Sequence, residues 1–437
     1  MPTMLARACR PTAKALVFSA TLLLSVAAFA LVPEIPTVEG PITGPGPMHP
    51  GLRDGPEGTN LDDFGYATEE YFVSGTAAGQ PYKTRLLLRK PANPQQFSGM
   101  LVGEPTHRGG NALICQFARF GIAKRGHACA TVAARRINLT NPATAGAGLW
   151  EFNLERYGSL RVADSQANEV IAQVGRLLRS NLAGGPMGSY AVRNLVLSGT
   201  SDSSGATRTY MSSSTLLDHA DLRMPDGGPI YQGFFVTSTL GGQIVPITDV
   251  PTIQMPSQSE VHGTNSYRRD DSDEPGNLFR LYEVSGMSHN DARENPAFAG
   301  CTNPLSHFPH GALTFMGLQH TLDWAAHGTL PPRAERMGVD NDVADGTRVA
   351  LDGHGNAVGG VRSTYLDVPI FRFTIPNSGP GLCSQTGWIT PLSGLYRNYG
   401  EYVSAVQHRL KELIDDGWFP REYADEYVRR DLKLFQK

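Results

Sequence analysis

Charge is scarce in this chain of 437 residues and divides evenly: 18% are charged, with 38 Lys and Arg against 41 Asp and Glu. A nucleic-acid surface needs a basic excess gathered into a stripe interleaved with aromatics, and the sequence has none. Beyond the first thirty residues no apolar run approaches the ~20 residues that a membrane-spanning helix requires. Internal repeats are lacking. The 48 glycines and 31 prolines follow no Gly-X-Y period and no coiled-coil heptad is sustained, so fibrous folds are excluded. What is present is a 40% hydrophobic chain, enough to bury a sizeable core. Its expected partner is a small, weakly charged molecule.

Arg7, Arg10 and Lys14 precede an apolar run from Ala15 to Ala30 that ends Ala28-Phe29-Ala30. This is the pattern of a secretory signal with an A-x-A cleavage site, so residues 1–30 are expected to be removed and the rest to be secreted or periplasmic, with no membrane association after cleavage. Cys9 leaves with the signal. Of the remaining cysteines, Cys129 in the apolar run HACATVAA reads as a buried free thiol, and Cys115 falls in a helix-like stretch. Cys301 and Cys383 both fall in loops and are the preferred disulfide pair for an oxidising compartment. His307, His310 and His320 do not make a metal site, because HFPH lacks a third ligand; neither metal nor cofactor is expected.

Residues 31–62 are Pro/Gly-rich and read as a surface arm. From residue 63 onward strand-like runs arrive in series: EEYFVSG, YKTRLLLRKP, GMLVGEP and ACATVAARR. A helical stretch follows in which Val170, Ile171, Val174, Leu177 and Leu178 form one apolar stripe. The runs NLVLSG, GFFVTST, PTIQM and FRLYEVSG then alternate with helices, one from about residue 311 to 327. Strands alternating with helices predict a mostly parallel central sheet covered by helices on both faces, with an antiparallel edge from the first pair. Residues 330–437 read as a mixed β/α extension of the same domain, closed by two amphipathic helices.

NLVLSGTSDSSG is the sharpest local signal. Strand residues Leu195 to Leu197 lead into Gly199-Thr200-Ser201-Asp202-Ser203 and then a helix. A serine on a tight strand-to-helix turn needs small residues two before and two after it, and the turn lifts its hydroxyl above the sheet. The Asp202 N–H at the head of the helix would face a developing oxyanion. Glu260 follows PTIQM and His289 follows FRLYEVSG. Each therefore sits at the carboxyl end of a predicted strand, where open α/β sheets place their sites. Ser201, His289 and Glu260 are thus candidates for nucleophile, base and orienting acid, with Asp249, Asp270, Asp271 and Asp273 as rivals to Glu260. The turn after GMLVGEP, containing Thr106 and His107, is expected to give the second oxyanion donor. Arg135 and Arg136 are candidate partners for the Asp202 carboxylate. They also join Trp150 as candidate substrate-wall residues, together with the segment INLTNPATAGAGLWEFN and part of 340–395.

These segments together resemble one family, the bacterial alpha/beta-hydrolase domain-containing proteins, over almost all of the chain after the signal. GTSDSSGATRTYM is similar to the family's GxSQSG motif and the RTF-like segment after it. Ser257-Gln258-Ser259-Glu260 resembles its SETD, RLYEVSGMSHND its histidine motif, and ERYGSL, CTNP and LCSQTGWITPL its remaining signatures. The resemblance implies an α/β-hydrolase fold with a Ser–acid–His triad. It supplies no substrate. This sequence departs from the pattern with Glu260 for Asp, Ser204 for Gly and Asp202 for Gln. The expectation is a secreted serine hydrolase of carboxylic esters or lactones acting through an acyl-enzyme at Ser201. An amidase or peptidase with the same triad, and a non-catalytic binding protein on the same fold, are the alternatives. The oligomeric state is not legible.

Overall fold

The computed structural model describes residues 32–55, 58–214, 222–239, 244–262, 267–290, 298, 300–340 and 348–432. The expected signal segment and Cys9 lie outside them. Among the described residues the main sheet has ten strands: β1 (Thr37–Glu39), β2 (Tyr66–Ala77), β3 (Gln80–Pro91), β4 (Met100–Pro105), β5 (Ala128–Val132), β6 (Asn194–Thr200), β7 (Phe234–Thr237), β8 (Thr252–Met255), β9 (Ser272–Glu274) and β10 (Asn277–Leu281). They lie in the order β1-β2-β3-β5-β4-β6-β7-β8-β10-β9. The six strands from β5 to β10 run parallel, and antiparallel strands close both edges.

Every residue of β4, β5, β6, β7 and β8 is buried. That is why these strands read as unbroken apolar runs: helices cover both faces, so neither side of the pleat meets water. Alternate residues serve different layers. Leu195 and Leu197 of β6 face one core, with the stripe of α2 (Ala167–Arg179) and with Tyr210 and Met211 of α3 (Asp202–Ser214). Val196, Phe235 and Met255 face the other, with α1 (Leu113–Arg125) and α5 (His310–His327). Gly121 lets α1 and α5 meet closely, since a Cβ there would lie 2.3 Å from the Phe315 ring.

The arm at 31–62 is more than surface, because it supplies the edge strand β1. The ERYGSL segment holds it. Arg156 bonds Glu70 at 2.7 Å and also donates to the carbonyls of Ile42 and Gly46. Among the described residues the extension after 330 adds two small antiparallel pairs, Val339–Asp340 with Arg348–Val349 and Phe371–Thr374 with Trp388–Pro391, and α6 (Tyr399–Asp415). Tyr402, Val406, Leu410 and Tyr423 join the α1–α5 core, so the extension shares that core.

Two disulfides are formed. Cys301 is joined to Cys383. The reading of Cys129 as a free thiol is corrected, for it pairs with Cys115, their Cα atoms 6.3 Å apart. Cys115 lies in the first turn of α1 and Cys129 inside β5, and packing the helix on the sheet brings them together.

Candidate active site

The strand order reverses between β4 and β6: β5 lies on one side of β4 and the chain then returns to its other side. Open α/β sheets bind ligands beyond the carboxyl ends of strands at such a switch point. Ser201 follows β6 directly and has φ 53°, a left-handed conformation that costs a non-glycine residue ~1–3 kcal/mol. Surrounding contacts hold it there. A Cβ on Gly199 would come within 2.6 Å of the Ser203 carbonyl oxygen, so only glycine lets β6 pack against the head of α3. Ser203, where a glycine is usual, is fully buried and bonds within the turn: its hydroxyl donates to the Thr200 carbonyl at 2.8 Å and accepts the Thr200 N–H at 3.0 Å.

Glu260 lies in a short helix, α4 (Gln258–Val261), after β8. Sequence pattern becomes geometry here, because Ser257-Gln258-Ser259-Glu260 is a capping box in which the Glu260 Oε2 accepts the Ser257 N–H at 2.7 Å. Its other oxygen lies 2.6 Å from His289 Nδ1, and His289 Nε2 lies 3.0 Å from Ser201 Oγ. The turn also fixes the histidine loop. Gln258 N–H donates to the Met287 carbonyl, Gln258 Oε1 accepts the Gly286 N–H, and Ser259 Oγ accepts the His289 N–H at 2.9 Å. Both Glu260 and His289 are buried. Of the rival acids, Asp249 pairs with Arg223, Asp271 with Arg336, and Asp273 with Arg280 and Arg333. Asp270 is exposed.

The Asp202 carboxylate is held by Arg135 at 3.2 and 2.5 Å and by the Arg108 N–H at 2.8 Å. Burial opposes its ionisation, but the Arg135 guanidinium overcomes that and keeps the carboxyl below its usual range. Arg135 also donates to the Thr106 carbonyl, tying the loop after β4 to the serine turn. Arg136 is not the partner. It stacks over Trp150, 4.9 Å from the ring centroid, while the Trp150 N–H donates to the Tyr157 carbonyl. Trp150 and Arg136 are therefore corrected as substrate-wall residues: the indole packs against the core beside Tyr157 and lines neither cavity at Ser201.

Two cavities meet at Ser201. One, about 470 Å³, is lined by Arg53, His107, Arg108, Leu113, Phe117, Thr144, His289, Leu382 and Gln385 among others. The expected walls thus contribute through Thr144 and through Leu382 and Gln385. The other, about 530 Å³, lies between Arg135, Asp164 and Asn168 and the first turn of α3. Sequence reasoning missed Arg53, Phe117 and above all Glu104. Glu104 is buried beneath the site, accepting the N–H groups of Leu113 and Ile114, with the Ser203 hydroxyl oxygen 3.2 Å from its Oε1. Burial raises its carboxyl to about 8 in spite of those donors. No signal in the sequence marks an acid at the end of an apolar strand as the link between two helix heads.

In the turn expected to give the second oxyanion donor, the backbone amides of Thr106 and His107 are engaged. Thr106 N–H donates to the Val132 carbonyl at 2.8 Å and His107 N–H to the Asn111 carbonyl at 3.0 Å, so neither amide is available. His310 packs edge-on against Phe117 and His320 against Tyr282. Among the described residues no group of three or more His, Cys, Asp or Glu could hold a metal, and no helix is long and apolar enough to cross a membrane.

A mostly parallel sheet with a serine on a left-handed strand-to-helix turn, met by a histidine and a carboxylate from later strand ends, defines a protein of the α/β-hydrolase class. The chain belongs to the alpha/beta hydrolase domain family, which matches residues 38–429. No curated protein matches it. Solved structures similar to it include esterase Est22, at 11% identity over 44% of this chain and 64% of that one, with a TM-score of 0.30. Brefeldin A esterase, described as a bacterial homologue of human hormone-sensitive lipase, is 12% identical over 43% and 42% of the two chains, with a TM-score of 0.27. A fungal esterase from Rhizomucor miehei is 9% identical over 40% and 44%, with a TM-score of 0.25. Likeness so distant and partial leaves the substrate to the site's own chemistry.

Proposed function

We propose that the protein is a secreted serine hydrolase that cleaves a carboxylic ester or lactone through an acyl-enzyme at Ser201. The observation that carries this reading is the continuous hydrogen-bonded chain Ser201 Oγ–His289–Glu260, set at 3.0 and 2.6 Å. In it His289 Nε2 takes the serine proton as Oγ attacks the substrate carbonyl. Glu260 keeps the other proton on Nδ1 and stabilises the imidazolium that forms. His289 then protonates the departing alkoxide, and water repeats the sequence to release the acid. Two cavities flanking one serine suit a substrate with a group on each side of its carbonyl, one for the acyl part and one for the alcohol.

The test is hydrolysis of a panel of esters and lactones of graded acyl size, with matched amides. Wild type is expected to turn over esters well ahead of amides, and Ser201→Ala to lose ~10⁶-fold in turnover while keeping its melting temperature. Retention of more than a few per cent of activity by Ser201→Ala would remove the serine from its role. Export is checked separately by fractionation and N-terminal sequencing of the product.

A further inference from the structure

We propose that the imidazole of His107, and no backbone amide of its loop, is the second hydrogen-bond donor to the oxyanion. This rests on the ester-hydrolase reading above and adds a catalytic residue to it. Acyl transfer at Ser201 pushes the carbonyl electron pair onto oxygen, and a pair of preorganised donors must meet that charge. The Asp202 N–H is one: it opens α3, and the first amides of a helix have no intrahelical acceptor. The loop between β4 and α1 supplies the other on this fold.

Every N–H from Thr106 to Gly110 is already engaged. Thr106 donates to the Val132 carbonyl, His107 to that of Asn111 and Gly110 to that of His107. Arg108 N–H holds the Asp202 carboxylate at 2.8 Å, and Gly109 N–H donates to His107 Nδ1 at 2.9 Å. Turning any of these toward substrate would strand a carbonyl, a carboxylate or a ring nitrogen that it now satisfies.

The last of these bonds names the substitute. Because Nδ1 accepts the Gly109 N–H, the proton of the neutral ring sits on Nε2, leaving that N–H as a donor. His107 lines the same cavity as Thr200, Ser201, Asp202 and His289. It is also kept uncharged. Burial lowers it to about 4; Asp202 pulls the other way, and Arg135, His289 and Arg108 add to the lowering. A neutral donor suits this place, since a second imidazolium would oppose the charge that His289 acquires in the same step. No proton leaves His107. Oγ bonds to the carbonyl carbon, its proton passes to His289, and the oxyanion accepts two N–H bonds until it collapses and expels the leaving group.

The experiment compares His107→Ala and His107→Gln with wild type and Ser201→Ala. It measures kcat and KM on an ester that wild type hydrolyses, the melting temperature, and inhibition by a trifluoromethyl ketone carrying the same acyl group. That ketone adds to the serine as an oxyanionic hemiketal, whereas the carboxylic acid product does not. His107→Ala is expected to lower kcat ~10²- to 10³-fold with little change in KM. It should weaken the ketone by a similar factor and leave the product's affinity unchanged. His107→Gln, which restores a side-chain N–H, should recover part of the loss. If His107→Ala fails to fold, His107→Phe keeps the bulk without the donor and should show the same kcat loss. A kcat within about threefold of wild type, or parallel loss of ketone and product affinity, would overturn the assignment. With Ser201→Ala inactive, that result breaks the His107 role alone; an active Ser201→Ala breaks the ester-hydrolase reading itself.

Discussion

Two carboxylates flank Ser201, and they are built for opposite purposes. Glu260 lies 2.6 Å from Nδ1 of His289, the ring that takes the serine proton in the proposed reaction. Asp202 lies 2.5 Å from the guanidinium of Arg135, which keeps the Asp202 carboxyl below its usual range against the opposing effect of burial. In the proposed reaction the first pair becomes an ion pair as His289 takes the serine proton. The second is an ion pair before any substrate arrives, and it offsets the negative charge that Asp202 would otherwise place beside the proposed oxyanion. On the proposed reading, an acid near Ser201 serves catalysis or only architecture according to the partner it faces.

The largest expected effect separates the two acids. Glu260→Gln preserves shape but no longer fixes the His289 tautomer, and turnover should fall ~10⁴-fold, less than for His289→Ala. The check is kcat for both variants at matched thermal stability. If Glu260→Gln is silent, the proton-transfer pair is misassigned.

Asp202→Asn should act chiefly on stability. It removes a charge-assisted bond to Arg135 and weakens the hold on the Arg108 N–H, a change of ~2 kcal/mol. Arg135→Gln should cost a similar amount and the double variant little more than either alone, because both act on one interaction. Denaturant unfolding of the three variants measures this. Faster ester hydrolysis by Asp202→Asn with unchanged stability would show that the carboxylate opposes catalysis, and the contrast between the two acids would collapse.

A third effect concerns pH. Burial lowers His107 to about 4, against about 6.5 for an exposed histidine. As pH falls from 6.5 the unfolded chain takes up this proton before the folded one does. Stability is therefore full above pH 6.5, falls through the window from 6.5 to 4, and loses no more from this group below that. His49, also lowered to about 4 by burial, adds to the same slope. Unfolding free energies measured across the window should fall more gently in His107→Gln than in wild type.

The parallel strands and the α2 stripe were legible because burial on both faces leaves unbroken apolar runs and one-sided burial leaves a 3.6-residue period. Ser201, Glu260 and His289 could be nominated for a related reason: Ser201 directly follows β6, and Glu260 and His289 fall in the segments that leave β8 and β10, so the place of each in the chain puts it at the sheet's carboxyl edge. Trp150 misled because a large aromatic in a loop reads the same whether it faces substrate or, as here, a core tyrosine. The Cys115–Cys129 bond was hidden because its closure depends on how α1 lies against β5.

What the sequence by itself determined is local: the strand-to-helix turn at Ser201, the capping box that holds Glu260, the apolar periods that set the layers. Each depends on residues within a few positions of one another, whose backbone preferences and hydrogen bonds act before the chain is packed. Tertiary structure alone decided the long-range pairings. Arg135 and not Arg136 reaches Asp202, Glu104 joins α1 to Ser203, and the amides after β4 close on their own neighbourhood. These are contacts between segments far apart in the chain. They are chosen by the distance and direction at which the sheet delivers each loop, and no property of the residues read in order contains that distance.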